Sequence, residues 1–77
     1  MNIDDEKQVL AKADRDIEQA RSRIARQSEI VEELRRDGHN TETAVDLLET
    51  LQGTLKAMIE HRQLIVEHIT RLERDGS

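Results

Sequence analysis

Ile3, Leu10, Ile17, Ile24 and Val31 recur every seven residues, and Ala13, Ala20, Gln27 and Leu34 recur at the same spacing between them. These two sets are the a and d positions of a coiled-coil seam, so the pattern predicts a first helix over about residues 3–37. Asn2 is placed to cap it, and Asp4, Asp5 and Glu6 put negative charge where the helix dipole favours it. Arg35 and Arg36 suit the last turn, and Gly38 suits the left-handed position just beyond it.

A second pattern begins after a turn over 38–41, made of Gly38, His39, Asn40 and Thr41. Asn40 or Thr41 caps it, with Glu42 in the first turn. Ala44, Leu48, Leu51, Leu55, Met58, Arg62, Ile65, Ile69 and Leu72 alternate by four and three, predicting a second helix over about 42–74. Arg71 and Arg74 sit near its end, and Gly76 is a suitable stop. Gly53 lies inside this helix at a cost of about 1 kcal/mol relative to Ala. Either another backbone approaches there, or the glycine is exposed and tolerated.

Each helix would be roughly 33 residues, or about 50 Å, long. A link this short permits only antiparallel neighbours, so the fold class is all-α, a single two-helix hairpin. Folding the chain about His39 and Asn40 pairs residues whose numbers total about 79, given the seam pattern. Leu10 then faces Ile69, Ile24 faces Leu55, Val31 faces Leu48, Ala13 faces Val66, Ala20 faces Ile59 and Leu34 faces Val45. Gln27 falls opposite Gln52, a polar pair suited to fixing register. Ala44, Leu51, Met58, Ile65 and Leu72 are left half covered, and a two-helix hairpin has no third layer for them. The expected remedy is a second copy, giving a four-helix bundle with these five residues at the oligomer interface.

Composition supports this class and narrows the function. The 77 residues hold 38% charged and 35% hydrophobic residues, with no aromatic residue, no Pro and no Cys. A disulfide scaffold and a thiolate metal site are excluded. The net charge of -5 argues against general affinity for phosphate backbones. No apolar run approaches the ~20 residues of a membrane span. Met1 is followed by Asp4, Asp5 and Glu6 instead of a basic and then apolar leader, so a cytoplasmic protein is expected.

Three groups of residues invite a chemical reading. His61 and His68 are seven apart, whereas paired ligands on one helix stand three or four apart, and the positions three and four before each hold Met58, Ala57, Ile65 and Leu64. A metal site would need two copies; wet flanking histidines are the favoured reading, with His39 packing over the end of the first helix. Arg62 is a charge in the seam, near Asp14, Asp16 and Glu18, either snorkelling with its fork on Asp16 or rejecting wrong registers. Arg15, Arg21, Arg23 and Arg26 form a basic stretch, but Glu18, Glu29, Glu32 and Glu33 interleave, as on a solvated helix. Ser22, Ser28 and Ser77 have no histidine at helical spacing to serve as a base.

The run Ile24-Ala25-Arg26-Gln27, Leu34, the turn Asp37-Gly38-His39-Asn40-Thr41, and Leu47, Leu48 and Leu55 together resemble short bacterial helical-hairpin proteins of unknown function. That resemblance implies a bacterial cytosolic protein and carries no activity and no site. The expectation is therefore a non-enzymatic, cofactor-free protein acting through helix–helix contacts, a homo-oligomeric adaptor or regulator whose first partner is itself. The alternatives are an accessory nucleic-acid-associated protein using the helix-one arginines, and a metal-binding bundle.

Overall fold

The computed structural model describes residues 2–76 and consists of two helices, α1 (Ile3–Arg36) and α2 (Glu42–Asp75), packed as an antiparallel hairpin. Each helix has 34 residues. The body measures 61 × 15 × 14 Å.

Local chemistry sets where each helix starts and stops. Asn2 caps α1 by accepting the Asp5 N–H on its side-chain oxygen at 2.9 Å. At the other end Gly38 takes φ 77°, and two bonds fold the chain back: Gly38 N–H to the Arg35 carbonyl at 3.2 Å, and His39 N–H to the Leu34 carbonyl at 2.9 Å. This is the Schellman arrangement, which satisfies otherwise orphaned carbonyls. The two cap candidates for α2 divide the work. Thr41 occupies the cap position without a side-chain bond, while Asn40 accepts the Glu42 N–H at 2.8 Å. His39 is exposed, and its backbone N–H is what ties it to the end of α1.

The core is a single thin line. Ile17, Val31, Ile65 and Ile69 are its buried apolar members, none of them reaching complete burial. Gly53 is exposed, and a Cβ built on it would meet nothing within 4 Å. No close backbone approach exists there, and the helix simply tolerates it.

The register departs from the symmetric fold about His39 and Asn40. Gln27 does not meet Gln52, which is exposed; it is buried and donates from Nε2 to the Ala44 carbonyl at 2.9 Å. Arg62 pairs with Asp14, and Asp16 is held instead by Lys12. His68 meets Glu6 at 3.2 Å. The facing pairs shift by about one helical turn. The cause is the turn itself, because the bonds to Leu34 and Arg35 fold the connection back along α1. As a result α2 begins beside the last turn of α1 and not beyond it. Ile59, expected against Ala20, is exposed.

Candidate interaction surface

One long side of the hairpin carries a continuous shallow groove. Its three stretches are joined by shared residues. The first lies between Val9, Ala13 and Asp16 of α1 and Met58, His61 and Ile65 of α2. The middle stretch lies between Asp16, Gln19, Ala20 and Arg23 and Leu51, Thr54 and Met58. The last, nearest the turn, lies between Arg23, Arg26 and Gln27 and Leu47 and Leu51. The small side chains of Ala13 and Ala20 create the depth, because nothing on α1 at those levels fills the space beside α2.

The groove is apolar along its floor and charged at its rim. Val9 and Leu47 are exposed, and Leu51 and Met58 half-buried. Among the five residues expected to remain uncovered, Ala44, Leu51, Met58 and Leu72 are half-buried, but Ile65 is buried within the hairpin. The one-turn shift in register moves Ile65 onto the α1 seam, so the open strip is shorter than the sequence pattern implies. On the rim, Lys12 pairs with Asp16 at 2.7 Å, and Arg26 reaches Glu29 at 3.3 Å and Glu33 at 3.9 Å. Arg23 makes no ion pair among the described residues.

The opposite side carries a shorter depression, lined by Ile17 and the exposed Ile59 and ringed by charge. There Asp14 and Arg62 bridge the helices above Ile17, with Glu18 and Arg21 alongside. Both partners of that bridge stay substantially exposed, so Arg62 lays its stem across the seam and keeps its fork wet.

Glu6 is the polar group that sequence reasoning missed. It appears there only as a first-turn acid, yet it is 4% exposed and holds His68 across the hairpin. The signal was present: the row Ala13, Ala20, Gln27, Leu34, extended back by seven, lands on Glu6. His61 is exposed, and no group of three or more potential metal ligands exists among the described residues. No described helix is long and apolar enough to cross a membrane. No known family, curated protein or solved structure matches the chain.

Proposed function

We propose that this chain is a non-enzymatic protein–protein contact module that pairs with a second copy through the groove, forming a four-helix bundle that serves as an adaptor or regulator. The observation supporting this most directly is the groove floor of Leu47, Leu51 and Met58, apolar side chains left open with no third element to cover them. Surface area argues the same way. The chain exposes 5831 Å², against about 4,800 Å² for a globular monomer of its mass. The excess, roughly 1,000 Å², is comparable to the ~800 Å² each partner contributes to a standard interface.

Sedimentation or light scattering at micromolar concentration tests this. The wild type should weigh at least twice the 8.9 kDa chain mass. Met58→Glu, which places a charge on the groove floor, should shift it to monomer or to unfolded chain. A well-folded wild-type monomer at that concentration would refute the proposal.

A further inference from the structure

The groove is self-complementary about one point, and this resolves how a second copy would seat in it. On α1 Val9, Asp16 and Arg23 stand seven apart along the groove rim, and the half-buried Ile30 continues that spacing one step further along the helix. The polarity of this row reads apolar, acid, base, apolar, so reversing the row sets acid against base and apolar against apolar. Its centre lies between Gln19 and Ala20. On α2 the row Ala44, Leu51, Met58, Ile65 has its centre beside Thr54. These two centres are at the same level, since Asp16, Arg23, Leu51 and Met58 stand at the four corners of one depression, with Gln19, Ala20 and Thr54 between them.

From this we infer that two copies pair groove to groove about a two-fold axis that crosses the hairpin at Ala20 and Thr54, with their turns at opposite ends. The inference rests on the self-association proposed above and adds its geometry. Asp16 then meets the partner's Arg23, twice per dimer, while Leu51 meets the partner's Met58 and Val9 meets the partner's Ile30. Ala20 at the axis lets the α1 helices approach closely. Lys12 and the partner's Arg26 come to similar levels, each retaining its own-chain carboxylate, Asp16 or Glu29. The alternative, an axis along the helices with both turns at one end, fails on charge. It lays Asp16 over the level of Met58 and Arg23 over that of Leu51, desolvating Arg23 without a partner and leaving Asp16 only Lys12 of its own chain.

Charge reversal with mixing tests this geometry. Asp16→Arg and Arg23→Asp should each raise the dimer dissociation constant on the order of tenfold or more, because two attractive contacts become repulsive. Mixing the two variants should restore wild-type affinity as a heterodimer, since every facing pair is then opposite in charge. Circular dichroism of each variant should match the wild type, separating a lost interface from a lost fold. In the otherwise Cys-free chain, Thr54→Cys should cross-link two copies on oxidation, and Gln52→Cys, on the far side of α2, should not. If the protein dimerises but neither reversal weakens it and Thr54→Cys does not cross-link, this arrangement is wrong and self-association stands. A monomeric wild type would overturn both, leaving the groove to a different protein.

Discussion

Replacing His68 by Ala should destabilise the hairpin far more than a half-exposed surface histidine normally would. The reason is the group it leaves behind. Glu6 is 4% exposed, and its carboxylate meets the His68 ring at 3.2 Å. Removing one partner strands a buried carboxylate, whose loss of a partner costs several kcal/mol when fully enclosed and about 1–3 kcal/mol when the site is partly wet. The His68 side chain is 38% exposed, so water reaches one end of the pair, and the expected cost is about 2 kcal/mol. In a domain of this size that lowers Tm by roughly 10 °C. Glu6→Leu should behave oppositely, near neutral or stabilising, because an apolar residue extends the Ala13–Ala20 row and abolishes the buried charge. In the Glu6→Leu background, His68→Ala should then cost less than about 0.5 kcal/mol, in line with an ordinary surface substitution. Urea denaturation of the four proteins at one fixed chain concentration measures the coupling, the concentration being held because self-association adds to apparent stability. Equal costs of His68→Ala in both backgrounds would show that the pair does not form, and the reasoning would fail.

Other substitutions probe the remaining particulars. Gly38→Val should destabilise by more than about 1 kcal/mol and Gly38→Asn by less, since Gly38 sits at φ 77° with open space around it and only the backbone conformation is at stake; equal losses in chemical denaturation would place the helix end elsewhere. Gly53→Ala should raise stability by about 0.5–1 kcal/mol, as an exposed helical glycine with nothing near its absent Cβ; a drop in Tm would reveal a neighbour at that site. Gln27→Ala should cost about 2 kcal/mol through lost packing and the lost bond to the Ala44 carbonyl, while Gln52→Ala should stay within about 0.5 kcal/mol; similar thermal shifts for the two would restore the paired-glutamine register.

Heptad spacing in α1, four-three alternation in α2, and the cap residues Asn2 and Gly38 suffice to specify two long helices and the turn between them. Those signals are local: they depend on residues within a few positions of each other, and nothing distant competes with them. The partners across the hairpin were not legible in the same way. Gln27 chose a backbone carbonyl over Gln52, Arg62 chose Asp14 over Asp16, and Ile65 entered the core. A seven-residue repeat looks nearly the same after sliding by one turn, so the pattern permits several registers. The bonds by which Gly38 and His39 fold the connection back on α1 select among them. That shift also set Glu6 against His68 and brought Asp16, Arg23, Leu51 and Met58 around one depression. Both depend on how far along α1 the second helix begins, and that distance is set by the turn and the packing it allows.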